Sequence, residues 1–409
     1  MAMAMRDSVT VSMSDEMMGI CRRSPSASEV ASVGVLGQDL RMERGERDVV
    51  EGQRGRQVGA RRSVGGQVEV RISGVRSMAY LFEFKRYRLP LAATLRTAHG
   101  SWTEREGLIV RLESEAGRVG FGEIAPLPWF GTETLAEAEE ICRKFGHKVT
   151  DRVLDGVPGR YGCVRFALAA ARTGPAPGPG QSRLPVAALL PAGREALAVL
   201  PAKLAAGFLA FKWKVGVSAV EEELGLLDDL LAKLPAYVKL RLDANGAWDR
   251  RQAAKWLARC AERPVEFVEQ PVRPDDEATL LGLAADYPVT LALDESVTGL
   301  AAAQRWQGLG WRGVFVIKPA LAGPLDELVV WSAATKADVV LSSAIETALG
   351  RAAILQAARA QPLTTRALGF GVDGIFGDRR WDGPMLGPVL DGRWVNDVNP
   401  EEFWNAVNH

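Results

Sequence analysis

The chain has 409 residues, 47% of them apolar, with 50 basic and 50 acidic side chains, so its formal charge is zero. That length is enough for a barrel-sized domain plus a smaller one, and the balanced charge excludes the electrostatic footprint of a nucleic-acid or anionic-membrane binder. Four scattered cysteines, Cys21, Cys142, Cys163 and Cys260, form no C-x-x-C pair and point to reduced thiols in a cytoplasmic protein, and no apolar run reaches membrane-spanning length.

Residues 1–77 form a separate statistical population. They hold no Phe, Trp, Tyr or Lys, yet contain seven of the nine methionines and twelve arginines. Such a segment buries too little apolar surface to offset its ordering entropy, which predicts disorder. Asp7, Asp15, Glu16 and Glu29 argue against a transit peptide. Two readings of the stretch stand: a disordered tail, or a wrongly extended reading frame whose true start is Met78.

Met78 opens MAYLFEFKRYRLPL, a first strand, and TGPAPGPGQSR (173–183) is the clearest linker. After it comes LPVAALL (184–190), followed by six short apolar runs that end on Lys214, Asp243, Glu269, Asp294, Lys318 and Ser342/Ser343. The steps between those ends are 29, 26, 25, 24 and 24 residues. Each step holds one strand, one helix and two loops, as in a (β/α) barrel, whose chemistry sits at the C-terminal ends of its strands. Helical three-and-four spacing fills the intervals at 220–234, 250–260, 277–285, 325–336 and 351–360.

With LPVAALL as strand one, Lys214 ends strand two, the three acids end strands three to five, and Lys318 ends strand six. Strands two and six face each other across an eight-strand barrel. Alternation along a strand turns Lys212 and Lys214 inward, and Arg241 and Asp243 likewise. A lone acid at a strand end is more often a helix cap and a lone lysine a surface cation, but five such groups in register read as a site. Three convergent acids without His or Cys favour a hard divalent ion, Mg²⁺ or Mn²⁺, over zinc.

The stretches KWK (212–214), LDANGAW (242–248), VEQP (268–271), LDES (293–296) and IKP (317–319) resemble the enolase superfamily, in the branch with a Lys-x-Lys pair on strand two and an opposing lysine on strand six. More narrowly, RTAHGSWTEREGLIVRL (96–112) and GEIAPLPWFGTETLAEA (122–138) resemble o-succinylbenzoate synthases of cyanobacterial or plastid type. The resemblance spans about residues 78–409. It implies an α/β fold: a modified TIM barrel, (β/α)7β, over residues 184–370, with an N-terminal α+β capping domain over 78–183 completed by the segment 371–409. It also implies two lid loops over the mouth, one with Thr97, His99, Gly100 and Trp102 and another at 126–131. Ser342, Ser343 and Glu346 resemble the family's strand-seven pocket, where hydroxyls are equally common as helix caps. Arg241 and Asn245 complete the candidate substrate contacts.

Removing a proton α to a carboxylate gives an enediolate that needs concentrated positive charge at its oxygens, which a divalent ion on Asp243, Glu269 and Asp294 supplies. None of the three histidines, His99, His147 and His409, falls at a strand end, so a lysine is the economical base. Lys214 takes that role beside the cation Lys212, itself either a substrate contact or an electrostatic neighbour, and Lys318 supplies charge from the opposite side. The expected substrate is a small carboxylate. The leading reaction is syn dehydration of 2-succinyl-6-hydroxy-2,4-cyclohexadiene-1-carboxylate to 2-succinylbenzoate in menaquinone or phylloquinone biosynthesis. N-succinylamino acid racemase, dipeptide epimerase and muconate cycloisomerase use the same first step, and a non-catalytic barrel is the third class. LGFGVDGIF (368–376) lacks the Asp-x-Asp pair usual in dipeptide epimerases.

Overall fold

The computed structural model describes residues 78–97, 100–174, 183–360, 366–372, 374–384, 387–391 and 397–407, together with five strand segments between Ser32 and Ile72. The chain divides into two units, Met1–Ser77 and Met78–His409. In the first, β1 (Ser32–Val35) pairs antiparallel with β2 (Gln38–Arg41), and β3 (Val49–Gly52), β4 (Arg56–Arg62) and β5 (Val68–Ile72) form a second antiparallel sheet. The remaining residues of that unit, and with them most of the stretch for which the composition predicts disorder, lie outside the described residues.

The second unit opens with an antiparallel sheet of order β8-β7-β6-β9. Its strands are β6 (Ala79–Thr97), β7 (Gly100–Ser114), β8 (Val119–Ile124) and β9 (Lys148–Thr150). Helices α1 (Leu135–Phe145), α2 (Asp151–Asp155) and α3 (Gly162–Thr173) accompany it. A capping box of Thr134 and Glu137 fixes the start of α1, each side chain bonding the other's backbone N–H. Helix α3 lies so close to β8 that a Cβ at Gly122 would stand 2.0 Å from the Ala167 carbonyl oxygen, so glycine is required there.

After residues 175–182, which include most of the expected linker and are not described, the barrel follows. It runs β10 (Arg183–Leu190), α4 (Glu195–Ala205), β11 (Ala210–Lys214), α5 (Val220–Lys233), β12 (Lys239–Asp243), α6 (Arg250–Cys260), β13 (Val265–Glu269) and α7 (Glu277–Asp286). It continues with β14 (Leu291–Leu293), α8 (Leu300–Gly308), β15 (Val314–Ile317), α9 (Pro319–Ala322), α10 (Leu325–Thr335), β16 (Val339–Leu341), α11 (Ala348–Ala360) and β17 (Leu368–Gly371). The strands are parallel and neighbour one another in sequence, β17 pairs back onto β10, and a Ser342–Gly369 bridge closes β16 onto β17. Eight strands with a helical crossover in each of the first seven intervals make the (β/α)7β barrel.

Alternation along the strands separates two environments. Outward residues such as Phe211, Trp213, Leu242, Val268, Leu293, Phe315 and Leu341 join the main core beneath the helices, where Trp213 meets Trp256 edge-on at 6.4 Å. Inward residues fall into two small clusters, Phe267, Ala292, Val314, Val316 and Val340 on one side and Ala187, Ala210 and Ala367 on the other. The C-terminal stretch returns to the antiparallel sheet: Ala92 N–H donates to Ile375 O, Gly377 N–H to Pro90 O, and Lys85 Nζ to the carbonyls of Trp404 and Val407 at the end of helix α12 (Pro400–Ala406).

Candidate active site

Strand register brings the charged ends into one ring. Lys214 pairs with Asp243, and Asp243 with Glu269; Asp294 and Lys318 directly follow β14 and β15. The Lys212 ammonium lies between two acids, donating to Glu269 Oε1 at 2.7 Å and pairing with Asp243 Oδ2 at 2.8 Å. Burial pulls Lys212 toward neutrality, yet Asp243, Glu269 and Asp294 outweigh it and hold the side chain protonated, well above its usual range. Glu269 is pushed well above the carboxylate range by burial, and Asp243 and Asp294 add to this against the pull of Lys212. Lys318 donates to Asp294 Oδ1, and the Phe130 ring centroid lies 4.2 Å from its nitrogen.

Lys214 differs from both. Its half-buried ammonium has no hydrogen-bond or ion-pair partner among the described residues, although it stands one strand from Asp243 and across the barrel from Lys318. Among the described residues no three acid, His or Cys side chains stand together at metal-ligand distances; Lys212 is paired with Asp243 and Glu269, and Lys318 with Asp294. The donor set nonetheless suits a hard cation. It consists of three carboxylates on adjacent strand ends, with the Lys212 ammonium standing where a cation bridges two of them.

Backbone strain gathers at the same rim. Among the described residues, three of the four non-glycine residues with positive φ follow a barrel strand within a few residues: Asn245 (45°), Gln270 (37°) and Ile345 (60°). Asn245 donates from Nδ2 to Glu295 Oε1 at 3.1 Å, and its N–H donates to Asp243 Oδ1. Gln270, fully buried, accepts from the N–H groups of Asp294 (3.1 Å) and Ser296 (3.2 Å), and donates to Ser296 Oγ and Val272 O. Gln270 thereby fixes the loop that carries the third acid. Glu295, pushed up to about 7 by burial and then by Asp294 and Asp243, also faces this rim.

Arg241 does not belong to the mouth. Although Lys212 is its register partner, the Arg241 side chain folds the other way, donating to Glu266 Oε2 (2.6 Å) and Ala367 O (2.8 Å) near the N-terminal ends of the strands. Two cations at one level of a barrel separate toward opposite ends, and the candidate substrate role of Arg241 is corrected accordingly. Ser343 Oγ accepts from Ile345 N–H and donates to Glu346 Oε1, and Glu346 is fully buried, so this pair braces its own loop. Ser342 Oγ reaches Gly369 O at 3.3 Å. The Thr97 side chain and all of His99 lie outside the described residues. Trp102 is half-buried and meets Trp129 edge-on at 5.5 Å.

Three contributors escaped the sequence reading. Phe130 lay inside the expected lid stretch with nothing to distinguish it from its neighbours. Glu123 and Arg105 come from the antiparallel sheet, and the barrel residues they bond, Thr347 and Ile345, are more than 200 positions away in the chain. Glu123 accepts from Tyr87 OH (2.6 Å), Thr347 Oγ1 (2.6 Å) and Gly350 N–H (2.9 Å), an anion at the start of α11.

Comparison with known proteins gives consistent results. Residues 196–378 match the family described as Enolase C-terminal domain-like, and residues 79–174 match the family described as MenC, N-terminal domain. An o-succinylbenzoate synthase of Thermosynechococcus vestitus is 42% identical over 313 residues, which is 75% of this chain and 95% of that protein. One of Edwardsiella ictaluri is 33% identical over 277 residues, 65% of this chain and 82% of that protein. A crystal structure of o-succinylbenzoate synthase from Thermosynechococcus elongatus BP-1, with Mg in its active site, superposes with a TM-score of 0.71 at 38% identity, covering 80% of this chain and 99% of that one. A dipeptide epimerase from Enterococcus faecalis shares the fold, with a TM-score of 0.67 at 23% identity over 77% of this chain and 97% of that one. Among the described residues no helix is long and apolar enough to cross a membrane.

Proposed function

The chain belongs to the o-succinylbenzoate synthase family of the enolase superfamily, and on that premise we propose that Lys214 is the base of a syn dehydration at this barrel mouth. The reaction converts 2-succinyl-6-hydroxy-2,4-cyclohexadiene-1-carboxylate to 2-succinylbenzoate and water, with no change in oxidation state from any co-reactant. It supplies the aromatic ring for menaquinone or phylloquinone biosynthesis, and the scattered, reduced-type thiols fit a cytoplasmic setting.

One observation carries the assignment. Of the lysines Lys212, Lys214 and Lys318 at the mouth, Lys212 and Lys318 are held by carboxylates, and Lys214 has no carboxylate partner among the described residues. A base needs a lone pair, and an ammonium clamped by anions keeps its proton. Lys214 removes the proton from the ring carbon bearing the carboxylate. The resulting Lys214 ammonium then gives a proton to the hydroxyl departing from the neighbouring carbon on the same face. The C–H and C–O bonds break, the ring double bond forms, and water leaves. Lys318, fixed by Asp294 and covered by Phe130, contributes charge from the opposite side without exchanging a proton. Lys212 places a permanent cation near the substrate carboxylate.

Asp243, Glu269 and Asp294 are the residues that would hold Mg²⁺, the ion present in the active site of the Thermosynechococcus elongatus BP-1 synthase. When bound, the ion supplies positive charge where the carboxylate oxygens gain negative charge. Gln270 and Asn245 keep the acid-bearing loops in place, and Trp102, Trp129 and Phe130 exclude water from above. The decisive experiment follows aromatic product by ultraviolet absorbance and compares kcat/KM with that for racemisation of N-succinylamino acids. Faster racemisation would overturn the ranking.

A further inference from the structure

Arg105 is 4% exposed and has no carboxylate within ion-pair distance among the described residues. A buried guanidinium without a counter-ion is expensive unless every donor is satisfied, and here backbone carbonyls satisfy all five. Nη2 donates to Ala125 O (2.6 Å) and Nη1 to Pro126 O (2.9 Å), at the root of the lid loop; Nη1 also donates to Glu106 O (3.0 Å). Nε donates to Ile345 O (3.0 Å) and Nη2 reaches Ala344 O (3.5 Å), in the loop after β16. One side chain therefore ties the lid to the barrel rim.

The rim residue it grips is the strained one. Ile345 has φ of 60°, a region in which a β-branched side chain is a true outlier. Such a conformation persists only when its surroundings enforce it. Two contacts do so: Ser343 Oγ accepts the Ile345 N–H from within the loop, and Arg105 holds the Ile345 carbonyl from outside it.

We propose that Arg105 is a positioning residue that couples the lid loop at 126–131 to the rim loop at 343–347, using its planar fork to hold Ile345 in the strained conformation and so fixing both walls of the substrate pocket together. The inference rests on the synthase reading for its kinetic consequence but not for its structural one. Lysine keeps the charge and loses the fork, and it strands fewer carbonyls than alanine would. Arg105→Lys is expected to lower kcat/KM about tenfold, mostly through KM, because the walls bind the unreacting part of the substrate. Ile345→Gly adopts a positive φ without strain, so in the Arg105→Lys background it should restore kcat/KM to within about threefold of the wild-type value. In the substrate-free protein, amide hydrogen exchange should accelerate in Arg105→Lys at both 127–132 and 344–347 relative to the barrel strands. Wild-type kinetics in the same assay test the synthase reading, whereas exchange tests the coupling without it. Acceleration at only one loop, Arg105→Lys turning over like the wild type, or no recovery in the double variant would overturn the proposal.

Discussion

The two ends of the barrel are both crowded with charge, and they treat it in opposite ways. At the floor, Glu266 accepts from Arg241 (2.6 Å) and Arg366 (2.6 Å), and Arg366 reaches Asp338 at 2.8 Å. Because β13 and β17 are the fourth and eighth strands of the ring, the Glu266–Arg366 pair spans the barrel. The Phe267 ring lies under both guanidiniums, at 4.9 and 5.8 Å. Burial works to raise the Glu266 pKa, but Arg241 and Arg366 prevail and lower it; hydrogen bonds to Asp338 hold Arg366 above its usual range. At the mouth, acids outnumber their cation partners, Glu269 and Glu295 are pushed up, Lys214 stands without a partner among the described residues, and three backbones are strained. Paired charge closes a structure, while charge left short of partners can act on a ligand.

Replacing Lys214 with Arg should break the mouth most severely, with turnover falling by at least about a thousandfold, since guanidinium holds its proton at working pH. Exchange of the substrate's α proton with deuterated solvent should vanish as well, while the unfolding midpoint stays near that of the wild type. Lys318→Arg keeps a cation and should retain measurable elimination. Solvent exchange that persists in Lys214→Arg and disappears in Lys318→Arg would place the base on the wrong side of the ring.

Removing divalent ions by chelation should abolish turnover and titration with Mg²⁺ should restore it. Mg²⁺ should also raise the unfolding temperature of the wild type more than that of Asp294→Asn, by mass action on the folded state. Full activity in a metal-stripped preparation would contradict the assignment of the three acids.

The floor should respond in stability instead. Glu266→Gln leaves the buried Arg241 without its anion and Arg366 with Asp338 alone, and should cost about 3 kcal/mol in denaturant unfolding, with KM unchanged. Because Glu266 has a folded pKa below its ordinary 4.5, its contribution is complete above that pH and fades as pH falls through the folded value. The gap between wild type and variant should therefore narrow in acid. A gap that is constant from pH 7 to pH 3 would show that charge pairing is not its cause. The smallest effect is expected from truncation: a chain beginning at Met78 should unfold cooperatively and turn over like the full chain, since the fold of 78–409 has its own core. Lost activity would show that residues 1–77 contribute.

The near-constant spacing of polar strand ends was legible because each strand, helix and pair of loops consumes a similar length of chain. Alternation within KWK turns Lys212 and Lys214 to the inner face, where Lys212 meets Asp243 and Glu269, while Trp213 lies in the core beneath the helices. The same alternation placed Arg241 on the inner face, but it could not say toward which end of the barrel so long a side chain would bend. That depended on Glu266 and on Ala367, which is 126 positions away.

The sequence alone thus determined the barrel, the order of its charged ends and the oxygen-only donor set, because these follow from periodicity and residue type, which are local properties. Only the tertiary structure decided which lysine is left without an anion, how Gln270 and Asn245 brace their neighbours' loops, and how Arg105 and Glu123 reach across from the antiparallel sheet to the rim. Those are contacts between segments far apart in the chain, and no local pattern encodes which of many polar side chains will meet when the strands close into a ring.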